Sequence, residues 1–144
     1  MTGKYETEKD VVDLVRAFEA ATVSREEWKH AEHLIVALYY VSHYDVETAI
    51  EKMRSGILNL LDNGFKVDLT KEMPYHETIT VFWIRAVAEF HASSNGKPIG
   101  EKIAEMVERF NKDYLLSFYS RERLFSDEAR ARFIESDLNG LNKS

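Results

Sequence analysis
Two short stretches carry side chains that could bind a metal ion. Glu26, His30 and His33 precede the apolar run L-I-V-A-L-Y-Y, and His76 and Glu77 precede the second run, T-I-T-V-F-W-I. If residues 25–43 form one helix, at about 100° per residue His30 and His33 project about 60° apart with Glu26 between them. His76, Thr80 and Trp83 likewise share a face of a helix starting near Pro74. The set Glu26, His30, His33 and His76, with Glu77 as fifth ligand or general base, offers nitrogen and oxygen donors without sulfur. That suits a divalent zinc, iron, nickel or copper ion. An ion with an open position lowers the pKa of its bound water to about 7 or, as iron, activates oxygen. The competing reading is that both histidines sit at core edges, bonded to Glu32, Glu27 or backbone carbonyls.

These donors need rigid rods behind them. Thr7 and Asp10 have capping-box spacing ahead of Val11, Leu14, Val15 and Phe18, which predicts a first helix over about 8–21. Ser24 and Glu27 make a second box and predict a helix over 25–43, and Asp45 caps a third over 46–62 that stops at D-N-G. Residues 65–74 form a connection that could hold a strand-like piece or a turn. A fourth helix is expected to about 92, a fifth over 99–111 continuing toward 119, and a short one over 126–134 capped by Ser126. The fold class is therefore all-α: a four-helix-bundle-like core, centred on the two apolar helices, with one or two extra C-terminal helices. Residues 1–144 are expected to form a single domain, with 1–6 and 135–144 frayed.

Composition narrows the function classes. Cysteine is absent, which removes disulfides, thiolate metal sites and cysteine nucleophiles. The net charge of −6 argues against nonspecific binding to nucleic acid or to an anionic membrane. No apolar run reaches the roughly 18 residues of a membrane span, and the N-terminus does not read as a signal peptide, so a cytoplasmic location is expected. There is no phosphate-binding glycine loop, no G-x-S-x-G and no H-E-x-x-H.

The stretches W-K-H-A-E-H-L at 28–34, Y-H-E-T-I-T-V-F-W at 75–83 and Y-S-R-E-R-L-F-S-D-E-A-R-A-R-F-I-E-S-D-L at 119–138 resemble an uncharacterised family of short bacterial all-helical proteins. That resemblance brings no activity with it. A looser likeness is to the metal-binding four-helix bundles of the DinB/YfiT type, which use three helix-borne histidines. Here the close histidine pair lies on the earlier helix and the single histidine follows, a departure from that pattern.

The expectation is a small metal-binding protein, a metal-dependent hydrolase or oxidoreductase acting on a small molecule. Glu77 and Tyr75 would be catalytic. Tyr40, Thr80, Trp83, Arg121 and Arg123 would contact the substrate, the arginines by holding a carboxylate or phosphate. Structural readings stand beside these: the aromatics as core, the arginines as part of a solvated charged surface, and His43 and His91 as cations at helix C-termini. The alternative function is a non-catalytic bundle that dimerises or binds a partner or ligand. A mostly buried second helix in so short a chain makes a homodimer plausible.

Overall fold
The computed structural model describes residues 4–94 and 96–138, and over these the chain is all-α. Helix α1 spans Glu8–Glu19, α2 His30–His43, α3 Val46–Asn59, α4 Glu77–Ala92, α5 Ile99–Arg109, α6 Arg121–Leu124 and α7 Asp127–Ala131. A π-helical turn, Leu60–Gly64, extends α3, and a 3-10 turn, Lys112–Ser117, follows α5.

The helices form where their apolar spacing demands. In α1, Val11, Leu14, Val15 and Phe18 make one buried stripe, and the Thr7–Asp10 capping box closes its first turn. Five consecutive residues of α2, Leu34 to Leu38, are all buried. A helix apolar around its circumference has to sit in the middle, and α2 packs on α1, α3, α4 and α5. Helix α4 buries Val81, Trp83, Ile84, Val87 and Phe90 and makes its main contacts with α2 and α3. Each fully buried Leu or Ile in this core contributes about 2 kcal/mol. The two-residue link Tyr44–Asp45 holds α2 and α3 as neighbours, and the Asp45 carboxylate caps α3 by accepting from the Thr48 amide at 2.8 Å.

The C-terminal third wraps α4. Ser120 and Ser126 cap α6 and α7, and α7 packs on α4. Of the C-terminal residues expected to fray, 135–138 are described, and two of them make hydrogen bonds to the 3-10 turn and the start of α6. Leu138 donates its amide to the Phe118 carbonyl at 2.9 Å, and Asp137 accepts from the Ser120 amide and hydroxyl at 2.9 and 2.7 Å. The Tyr5 hydroxyl, donating to Glu32 at 2.8 Å, likewise anchors the described N-terminal residues. Residues 1–3 and 139–144 of the expected frayed ends lie outside the described residues.

Two helix starts differ from the expected ones, and both differences move candidate ligands. Ser24 and Glu27 do exchange capping-box hydrogen bonds, but they close only a turn. The chain is extended at Lys29 and α2 begins at His30. Trp28 is drawn onto the Phe18 ring, with centroids 4.9 Å apart and planes nearly parallel. That tertiary contact competes with continuing the helix. At α4 the chain is extended through His76, which is the N-cap, and the first helical residue is Glu77.

Candidate functional site
A cleft of about 730 Å³ is built on the outer face of α4. Its helix supplies Phe82, Arg85, Glu89 and Phe90; Arg109 and Phe110 come from the end of α5, and Tyr114 and Phe118 from the 3-10 turn. The returning segment adds Phe133 and Glu135. The rings of Phe110, Tyr114 and Phe118 run in series, with centroid spacings of 4.9 and 5.2 Å, and Phe82 meets Phe118 at 5.2 Å. All three contacts are tilted, as the quadrupoles of neighbouring rings favour.

Two guanidinium groups lie on aromatic faces of this cleft. Arg85 sits over Phe133 at 4.6 Å and Arg109 over Phe90 at 5.9 Å. Among the described residues, neither guanidinium has a carboxylate within 4.0 Å. Burial pushes the Tyr114 phenol above its ordinary range, so it remains a neutral donor at physiological pH. The Tyr119 phenol is pushed up to about 12, again chiefly by burial, and donates to the Ile134 carbonyl at 2.6 Å. The arrangement offers stacking surface with fixed positive charge at its edge.

The expected metal ligands do not meet. Among the described residues, no three His, Cys, Asp or Glu side chains gather into a metal-binding group. Glu26 precedes α2 and is exposed, so the i, i+4, i+7 series with His30 and His33 is lost at its first member. His30 and His33 line one cleft of about 670 Å³. The Nε2 of His30 lies 2.7 Å from the Phe110 carbonyl oxygen, so that nitrogen carries the proton.

His76 has both ring nitrogens in use. Nε2 donates to the Leu124 carbonyl at 2.6 Å and Nδ1 accepts from the Ile79 amide at 3.2 Å. The ring therefore acts as a helix cap and an interelement tie, with no lone pair left for an ion. Burial lowers its pKa, consistent with a neutral imidazole.

The expected catalytic pair, Tyr75 and Glu77, does come together, joined by Arg54. The Tyr75 hydroxyl donates to Glu77 Oε1 at 2.6 Å, and Arg54 donates to both carboxylate oxygens at 3.0 and 2.6 Å. Arg54, helped by Tyr75, holds the Glu77 pKa below the usual range. A carboxylate so held is a poor general base; it clamps the start of α4 to α3.

The expected substrate contacts are mostly internal. The Tyr40 hydroxyl donates to Glu19 at 2.7 Å, and Thr80 donates to the His76 carbonyl at 3.1 Å. Trp83 is buried, stacked on Tyr114 at 6.0 Å, and so supports the aromatic cleft from beneath. Arg123 donates to the Glu135 carbonyl at 2.6 Å, fastening the returning segment, while Arg121 is exposed on α6. Neither arginine lines the aromatic cleft.

The cleft-lining residues left out of the sequence reading had a signal. Arg85 interrupts the apolar run V-F-W-I-R-A-V, and Phe110, Tyr114 and Phe118 repeat every four residues. A cation inside an apolar stretch marks a face turned toward something polar or charged.

No protein-family model, curated protein or solved structure matches this chain. The class that fold and site define is thus an all-α domain with an aromatic, arginine-edged cleft. No described helix is long and apolar enough to cross a membrane.

Proposed function
We propose that this chain is a small-molecule-binding helical domain whose ligand is flat, largely apolar and negatively charged at one end. The observation that carries the reading is the pair Arg85 and Arg109, held on Phe133 and Phe90 at the edge of the aromatic cleft with no carboxylate within 4.0 Å among the described residues. The rings would take the apolar body by stacking, and a guanidinium would take a carboxylate or sulfonate in its planar fork. Glu89 and Glu135 line the same cleft and would repel a second negative charge, confining the anionic group to one end.

Titration with 2-naphthoate, followed by calorimetry, tests this. Saturable binding is expected, with 2-naphthamide weaker by about tenfold because it lacks the charge. The double variant Arg85→Gln, Arg109→Gln should erase that difference. Absence of binding, or equal binding of the two compounds to the parent, overturns the reading.

A metal-dependent hydrolase or oxidoreductase is the second reading. It rests on His30 and His33, which share a cleft. Elemental analysis of untagged protein tests it: one divalent ion per chain, lost in His33→Ala, favours it over the binding module.

A further inference from the structure
Among the described lysines Lys102 alone is buried, with 8% of its surface exposed. A lysine this deep ordinarily has a carboxylate beside it, because an ammonium taken out of water needs a counter-charge. Here no carboxylate lies within 4.0 Å of its amine among the described residues. The partner is an imidazole: Lys102 Nζ donates to Nδ1 of His91, near the end of α4, at 2.8 Å. That bond aims the Nδ1 lone pair at the amine and leaves the ring proton of His91 on Nε2. Lys102 lines neither of the clefts described above.

Most of what surrounds this amine is basic. Lys102 is the fourth residue of α5, where the helix dipole opposes an ammonium and favours an anion. Helix α4 brings His91, and α2 brings His43, whose charge reaches His91. From α1, Glu8 acts on the amine from beyond 4.0 Å. Burial pushes the Lys102 pKa down and Glu8 opposes it in part. Burial, with the charges of Lys102 and His43, pushes His91 down as well. An amine so placed is neutral, and nucleophilic, for more of the time than an exposed lysine is.

We propose that Lys102 is a carbon dioxide site: its Nζ takes up CO2 as a carbamate, and His91 accepts the proton. The nitrogen lone pair attacks the carbon of CO2. An N–C bond forms, one C=O π pair moves onto oxygen, and the proton shed by nitrogen passes to His91 Nδ1. Amine, CO2 and imidazole become carbamate and imidazolium, so charge is conserved and nothing is oxidised. Two features choose this electrophile. The narrow exposure of Lys102 admits a small uncharged reagent more readily than a bulky acyl donor. The product is an anion, which supplies the counter-charge that Lys102 and His91 lack within 4.0 Å among the described residues.

The test uses the whole untagged chain at neutral pH, equilibrated with ¹³C-labelled bicarbonate and CO2. Carbamates are trapped by ethylation with triethyloxonium and located by peptide mass spectrometry. The trapped label is expected on Lys102, at about tenfold or more its level on any exposed lysine. A carbamate carbon signal in the ¹³C spectrum should accompany it and vanish in Lys102→Arg. His91→Gln, which keeps a hydrogen-bonding side chain but takes up no proton, should lower the trapped fraction severalfold. Label confined to the N-terminal amine, or spread evenly over the lysines, overturns the inference. So does an unlabelled Lys102 in the folded parent, a result that needs no variant to fold. A trapped fraction undiminished by His91→Gln overturns the part given to His91.

Discussion
His30 donates its Nε2 proton to the carbonyl oxygen of Phe110 at 2.7 Å, joining the first residue of α2 to a residue eighty positions later. Phe110 is buried, and its carbonyl lies beyond the last regular turn of α5. The imidazole also packs against Trp83, with centroids 5.1 Å apart. Removing the donor leaves a buried acceptor unsatisfied, at a cost of about 2 kcal/mol. His30→Ala should therefore lower the unfolding free energy obtained from urea titration by about 2 kcal/mol, seen as a lower midpoint. His30→Gln, which keeps an N–H donor, should recover part of the loss. A purely metal-liganding His30 would leave the stability of metal-free protein unchanged.

His76 is expected to behave as a cap. Its Nδ1 serves the Ile79 amide and its Nε2 serves the Leu124 carbonyl. His76→Ala loses both, and about 2–3 kcal/mol of stability is expected to go with them. His76→Asn can still cap the helix and should regain about 1 kcal/mol. Equal denaturation midpoints for the two variants would show that the capping geometry is not what the residue supplies.

Acid should weaken the fold before the ordinary carboxylates titrate. Burial lowers the His33 pKa from 6.5 to about 4. Between those values the unfolded chain takes up a proton that the folded chain refuses. The contribution of His33 is thus fully present above about pH 6.5 and is lost as the pH falls toward 4, to a total of about 3 kcal/mol. His76 and His91 are shifted down by burial as well and act in the same sense. Glu77, held low by Arg54, adds its own loss only below its ordinary value of 4.5. Urea midpoints measured from pH 7.5 to 4.5 should fall monotonically, and His33→Leu should flatten that slope. A slope unchanged by His33→Leu would remove His33 from the account.

Gly56 gives a packing prediction. A Cβ at this position of α3 would lie 2.2 Å from Cε2 of Phe18, and that ring is itself held between Trp28 and Tyr40. Alanine gains about 1 kcal/mol in helix propensity but forces a well-packed ring to move, at about 1–3 kcal/mol. Gly56→Ala should be net destabilising, and Phe18→Leu should reverse the sign of the substitution in a double-mutant cycle. A stabilising Gly56→Ala in the parent would mean that Phe18 can shift freely.

Most of the scaffold was legible because it rests on local rules. The stripe Val11, Leu14, Val15 and Phe18, the Thr7–Asp10 box and the caps at Asp45 and Ser126 depend on neighbours a few residues away, and each is in place. The candidate site was less legible because it depends on distant residues. Ser24 and Glu27 satisfy the local signature of a helix start, yet Phe18 draws Trp28 away and α2 begins later, which takes Glu26 off the face shared with the histidines. Nothing near His76 in sequence announces the Leu124 carbonyl that occupies its Nε2. The aromatic cleft is assembled from α4, the end of α5, the 3-10 turn and residues 133–136, and no single window contains it.

That scattered assembly orders events during synthesis. One wall of the aromatic cleft, Phe133 and Glu135, is translated some forty to fifty residues after the α4 face it closes over. Until residues 133–135 have been made, the α4 face of the cleft has no cover from the returning segment. Under the proposed reading, ligand competence would wait on a stretch of chain made well after α4, and a nascent chain stalled short of it would be deaf to the ligand.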